Sequence, residues 1–281
     1  MTKPVPVWQT TGLSLLIGIA LILGWHFATV KPPVQAGVNS EYARLAGAAA
    51  GAKAASAIPT PAETAKRAGE LLSVAFKGRA SNNQGIGWHL IDSLARVLSG
   101  FAIAVGVALP LGFALGMSPL LYGALNPYIQ VLKPISPLAW LPLALYTFRD
   151  SATSAVFVIF ICALWPLLIN TTFGVAQVRP DWLNVARVMG LPLWKRIRRI
   201  IFPAALPMIL TGMRISIGIA WLVIVAAEMV VGNSGVGYFV WNEWNNLQIS
   251  SMIVAVVLIG IVGLSLDQLL GLAARRLAFK E

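Results

Sequence analysis

The chain has 281 residues, 58% of them hydrophobic and only 11% charged, with a formal net charge of +11. A soluble domain carries roughly 25% charged residues, so this composition excludes a soluble enzyme or binding domain and requires an integral membrane protein. The cations gather beside apolar runs rather than on a recognisable binding module, which argues against nucleic acid as their partner.

Apolar runs of about 20 residues span a bilayer as helices, because lipid cannot satisfy open backbone groups. Alternating ten-residue strands, the barrel signature, are absent. The expectation is an all-α membrane protein with about six spans. The first covers residues 11–29. It follows Lys3 but ends in Trp25-His26 rather than a small-residue cleavage site, so it reads as a retained helix and not a signal peptide. Residues 31–87 form a connector with surface helices expected over 41–57 and 61–76. The second of these starts with a capping box: Thr60 before it, Pro61 at its first position and Glu63 three residues after the cap.

The second span covers 88–117 and carries small residues (Gly100, Ala104, Ala108, Gly112 and Gly116 among them) that permit close helix contact. The third covers 121–148 and contains Pro127, Pro134, Pro137 and Pro142, so it is expected to be broken or strongly kinked. The fourth covers 152–178. A basic segment, 180–203, follows; its cations cannot lie in hydrocarbon. The fifth span covers 204–231. Residues 232–248 read as a loop with aromatic interface anchors. The sixth span covers 249–272. The organisation is therefore a first helix (1–30), a connector (31–87), a five-helix core (88–275) that includes the basic segment, and a tail (276–281).

Orientation follows from the short loops. Lys3, the basic segment (Arg179, Arg187, Lys195, Arg196, Arg198, Arg199) and the tail (Arg275, Arg276, Lys280) fall on one face, against Arg149 alone in the short loops of the other. The positive-inside rule makes the first face, with both termini, cytoplasmic. The connector, near 60 residues long, is at the limit where charge stops controlling translocation.

Chemistry-bearing residues are few. Cys162 is the single cysteine, which excludes an intrachain disulfide, and the two histidines, His26 and His89, have no metal-ligand spacing. No metal and no cofactor are expected. There is no Gly-x-x-x-x-Gly-Lys-Ser/Thr pattern for ATP. Charges inside spans are functional candidates by default. Lys133 sits at the broken span and is a candidate for attracting an anion. Asn170, Thr171 and Thr172 are neutral donors for a translocation path, and Glu228 is a structural or gating residue, paired with Arg149. An i,i+4 pair is expected between Asp92 and Arg96, and a pair between Arg214 and Asp267.

One stretch carries a family resemblance. Residues 184–203 hold Asn184, Val185 and Ala186, then Gly190 after three residues, Ile200 after nine more, and Phe202-Pro203. This spacing resembles the cytoplasmic coupling motif of ABC-importer permeases, Glu-Ala-Ala, three residues, Gly, nine residues, Ile, one residue, Leu-Pro. The opening Glu and the Leu before Pro are replaced. Residues 134–143, 164–175 and 226–232 are similar to permeases of the nitrate/sulfonate/taurine group, and 238–247 is most like the nitrate and bicarbonate members. The resemblance runs from about 58 to 275.

It implies a type I ABC-importer permease fold in a bacterial inner membrane. It also implies a second permease copy, two cytoplasmic ATPase subunits that hydrolyse the ATP, and an outer solute-binding protein. The permease itself is then not an enzyme. The implied cargo is a small inorganic oxyanion, nitrate first, with nitrite, cyanate, bicarbonate or a sulfonate such as taurine as alternatives. Coupling to the ATPase falls to Asp181, Asn184, Val185, Ala186, Met189, Gly190, Ile200 and Pro203. A short coupling helix is expected over 181–190, capped by Asp181, ended by Gly190, with Ala186 facing the ATPase groove. Two other classes compete. A self-sufficient secondary transporter or channel usually shows paired broken helices, and only one broken span is visible. An intramembrane enzyme would need a cluster of catalytic side chains, which the two distant histidines do not supply.

Overall fold

The computed structural model describes residues 7–29, 58–79 and 84–277, and every regular element among them is helical. Among the described residues five helices are long and apolar enough to cross a membrane, and a bent pair brings the number to six if it counts as one span. The expected helix over 41–57 lies outside the described residues. By packing, the chain divides into one unit of Met1–Val74 and Glu243–Val254 and another of Ala75–Asn242 and Ala255–Glu281.

In the first unit, α1 (Val7–Thr29) is followed by α2 (Pro61–Ser73). The capping box at the start of α2 forms as its sequence dictates: Glu63 N donates to Thr60 Oγ1 at 3.3 Å and Thr60 N donates to Glu63 Oε2 at 3.0 Å. Trp25 Nε1 donates to the Pro59 carbonyl at 3.1 Å, and Arg67 Nε donates to the buried Ser251 Oγ at 2.9 Å.

The second unit is built on α3 (Ile86–Met117), α6 (Ser151–Ala176) and α9 (Phe202–Val231). Between the first two run α4 (Pro119–Leu132) and α5 (Pro137–Phe148), bent by 94° at residues 133–136. The break expected from the prolines is there. Pro134 lies within it and Pro137 opens the second arm, so neither proline costs an interior helix bond.

Of the small residues on α3, those at intervals of four make the close contacts. Gly100 meets Ile159, Gly112 meets Thr171 and Gly116 meets Val175, each so closely that a Cβ would fall 2.6 to 2.7 Å from the facing side chain. Ala104 and Ala108 lie buried between them. Gly106, two residues off the stripe, faces open space. Ser216 Oγ on α9 donates to the Ala163 carbonyl of α6 at 2.7 Å.

The basic segment folds as α7 (Pro180–Val188), then α8 (Leu193–Arg196), then a π-helical turn (Ile197–Ile201) running into α9. The fifth span therefore does not start at 204. One helical stretch runs from Leu193 to Val231. In the π turn Phe202 N donates to the Ile197 carbonyl, five residues back. The turn lies just ahead of Pro203, whose missing N–H leaves the Arg199 carbonyl without its α-helical partner.

The expected loop over 232–248 also contains a helix, α10 (Val236–Asn245), which buries Val236, Gly237, Phe239 and Val240. The last helix is α11 (Ile249–Leu277). Trp221 Nε1 donates to the Ile259 carbonyl at 2.9 Å, and the expected Arg214–Asp267 pair is present and bidentate, at 3.0 and 2.6 Å.

Candidate functional sites: a docking helix, a lysine at a broken span and a buried carboxylate

The short helix α7 is closed by its sequence at both ends. Pro180 occupies its first position, where a missing N–H is harmless. The N-cap is Arg179, not Asp181 as expected. Asp181 lies inside the first turn, where a carboxylate favours the helix dipole, and accepts from Arg179 Nη2 at 3.3 Å. At the other end Gly190 has φ +62, its N–H donates to the Arg187 carbonyl at 3.0 Å, and Leu191 N donates to the Ala186 carbonyl at 3.1 Å. These two bonds make a Schellman motif, which requires a left-handed residue at Gly190.

The faces of α7 differ from expectation at Ala186. This residue is 0% exposed and faces the protein's own body, and Leu183 packs on the cluster that holds Val175, Val178 and Ile201. The outward side carries Trp182, Val185, Val188 and Met189, with Val188 90% exposed. Asn184 is exposed and accepts from Arg187 Nη1 at 3.2 Å. Ile200 sits half-buried in the π turn, and Pro203 is the second residue of α9. Sequence reasoning missed Trp182 and Val188, because a nine-residue helix with apolar residues on several sides does not reveal which side is covered.

Lys133 caps α4 at the bend. It is exposed and, among the described residues, forms no ion pair. It lines a cavity of about 480 Å³ with Ser136, Trp140, Cys162, Trp165 and Asn170. It also lines a second one of about 240 Å³, with Tyr122, Asn126, Gln130 and Thr172. Of the candidate path residues, the structure brings together Lys133 and Asn170, whose Nδ2 donates to the Pro166 carbonyl at 2.8 Å. Thr172 reaches only the second cavity, and its hydroxyl donates to the Leu168 carbonyl at 2.8 Å. Thr171 points elsewhere: it is fully buried against Gly112, and its hydroxyl has no hydrogen-bond partner.

Glu228 lies apart from both cavities, at the far end of α9 from α7. It pairs with Arg96, not Arg149, with Arg96 Nη1 2.7 Å from Glu228 Oε1. The expected Asp92–Arg96 pair is therefore absent; Asp92 accepts from Gln84 Nε2 at 3.3 Å. Ser93 Oγ stands 2.7 and 2.9 Å from the two Glu228 oxygens, and Gly237 N donates to Oε2 at 3.1 Å. Arg96 also donates to the Ser234 carbonyl and hydroxyl, at 2.8 and 2.6 Å. His89 Nδ1 accepts from Gly235 N at 3.0 Å. A carboxylate 2% exposed is thus fully partnered, as a buried charge must be. This is a structural knot joining α3, α9 and the entry to α10, and the cavity beside Arg96 and Glu228 is small, about 10 Å³.

Residues 106–279 match the model of a family described as the binding-protein-dependent transport system inner membrane component. The chain belongs to that family. It is 45% identical over 211 residues to the nitrate import permease protein NrtB of Synechocystis, covering 75% of this chain and 77% of that one. It is also 45% identical over 206 residues to the bicarbonate transport system permease protein CmpB of Synechococcus elongatus, covering 73% and 74%. Among solved structures, the fold is similar to an inward-facing conformation of the MetNI methionine ABC transporter. The TM-score is 0.61 at 15% identity, with 68% of this chain and 95% of that one covered. The protein is a multi-pass, ABC-type permease subunit of a bacterial plasma membrane, a transport component rather than an enzyme. Nothing in these relatives supports a self-sufficient secondary transporter or channel.

Proposed function

We propose that this chain is the permease of an ATP-driven importer for a small inorganic oxyanion, nitrate first. The observation that carries the reading is the 45% identity, over three quarters of the chain, to a nitrate import permease. The equal identity to a bicarbonate permease favours bicarbonate as the second reading. Both cargoes are small oxyanions carrying one negative charge. The earlier sulfonate alternative finds no relative of that name among those described.

The chain works in this reading as a pair of copies with two cytoplasmic ATPase subunits and an outer binding protein. The ATPase groove receives α7, whose Schellman-closed end and outward Trp182, Val185, Val188 and Met189 make a rigid apolar knob. Both termini and α7 lie on the cytoplasmic side, a reading supported by the cation imbalance between the short loops. Uptake into vesicles containing the permease, its ATPases and its binding protein tests the proposal. Nitrate accumulation that depends on ATP and resists excess bicarbonate is expected. Accumulation of bicarbonate alone would shift the reading to the second cargo, and accumulation of neither would end it.

A further inference from the structure

We propose that the cavity at the bend between α4 and α5 is an oxyanion-binding site within the membrane domain, with Lys133 as its charge partner. The inference rests on the oxyanion reading above and adds the place where the anion pauses.

A lysine in a membrane span must be paired or lie against water. Lys133 has no carboxylate partner among the described residues, and neither cavity it borders is lined by Asp or Glu. Its ammonium is therefore open to water and to a counter-ion from outside the fold. The ion pairs among the described residues of the second unit, Arg96–Glu228, Arg179–Asp181 and Arg214–Asp267, all lie away from both cavities.

The remaining walls suit a small anion. The Ser136 hydroxyl makes no hydrogen bond among the described residues, so its O–H is available to donate. Asn170 spends one amide N–H on the Pro166 carbonyl and keeps the other. Trp25, Trp88 and Trp221 each donate their indole N–H to a carbonyl, whereas Trp140 and Trp165 have no such bond among the described residues. The cavity is thus lined by one cation and several side chains that carry neutral donors, in a mostly apolar wall, a composition that suits a small singly charged oxyanion. Its volume of about 480 Å³ far exceeds a water's share of roughly 30 Å³. The anion keeps part of its hydration there and is held loosely enough to leave, as a transport path requires. Lys133 also borders the second cavity.

Cys162, the chain's single cysteine, lines the larger cavity and supplies a native reporter. The purified permease–ATPase complex in lipid nanodiscs is treated with a small methanethiosulfonate, and labelling of Cys162 is followed by mass spectrometry. Sodium nitrate and sodium bicarbonate are the probes, with sodium gluconate as the ionic-strength control. Nitrate or bicarbonate is expected to slow labelling in the wild type and not in Lys133→Gln, with Lys133→Arg intermediate because its charge survives in another shape. Uptake per assembled complex by Lys133→Gln is expected to fall at least about tenfold, the scale of one lost charge-assisted hydrogen bond. Wild-type uptake of nitrate or bicarbonate without protection of a reactive Cys162 would overturn the site while leaving the oxyanion reading intact. So would unchanged uptake by Lys133→Gln, which decides the matter alone if Cys162 resists labelling. Failure of wild-type uptake for both anions would instead strike the oxyanion reading, and the site with it.

Discussion

Arg96 and Glu228, separated by 132 residues in sequence, meet at 2.7 Å and hold α3 to the end of α9. Both partners are largely withdrawn from solvent, with side-chain exposures of 17% and 1%. Removing one partner of such a pair strands the other, at a typical cost of about 3 to 5 kcal/mol. Arg96→Met is expected to destabilise the purified complex on that scale, and adding Glu228→Met is expected to restore part of the loss. Thermal unfolding of the two variants checks this. A double variant no more stable than the single one would show that Glu228 holds the loop without needing Arg96.

Gly235 and Gly237 belong to the same knot. Gly235 has φ +111, and a Cβ there would fall on the Glu228 carboxylate; one at Gly237 would meet the Val225 carbonyl. Gly235→Ala is expected to lower the yield of folded permease sharply, because backbone strain and overlap add. Gly106→Ala, in open space on α3, is expected to change yield little. Size-exclusion profiles of the two variants make the comparison.

The burial of Ala186 separates folding from docking on α7. Ala186→Glu is expected to damage the permease itself by burying an unpaired charge. Val188→Glu is expected to leave a stable, membrane-inserted protein that no longer retains the ATPases. Co-purification of ATPase subunits, normalised to folded permease, reads the difference. Retention by Val188→Glu would remove this face of α7 from the docking surface.

Asp150 caps α6, accepting from Thr153 Oγ1 at 2.5 Å and from Thr153 N at 2.7 Å. The Thr153 hydroxyl, then its backbone N–H, hold the Asp150 carboxyl below its ordinary value. A lowered folded-state pKa stabilises above the unfolded value of about 3.9 and loses that contribution as pH falls through the folded value. The difference in melting temperature between wild type and Asp150→Asn is expected to be present at neutral pH and to shrink in strong acid. A difference that grows on acidification would contradict the cap's role.

Much of this architecture was legible because membrane burial is written in composition. Apolar runs, proline positions and the Thr60–Glu63 box locate helices without reference to any partner. Arg214 and Asp267 could be matched because both lie at similar depth on neighbouring spans. The partner of Arg96 was not legible: the local i,i+4 rule offers Asp92, and only tertiary packing brings Glu228 closer. The same limit applies to Asn170 and Thr171. Adjacent residues on a helix point about 100° apart, so one reaches a cavity and the other is pressed onto Gly112. Ser136, Trp140 and Trp165 escaped notice because a cavity is a property of the bend, and the prolines announce the bend but not its walls.

The unbroken helix from Leu193 to Val231 has a mechanical consequence. At 1.5 Å per residue its 39 residues reach about 58 Å, nearly twice the roughly 30 Å hydrocarbon core. It touches α6 at several levels: Gly174 lies against Ala205 and Met208, Gly212 against Leu167 and Asn170, and Ser216 bonds to the Ala163 carbonyl. Its two ends are therefore joined by one continuous helical element, with α7 leading into one end and the Arg96–Glu228 pair at the other. Ile219 of the same element lines Lys133's cavity, so the helix that links α7 to the Arg96–Glu228 pair also forms one of that cavity's walls.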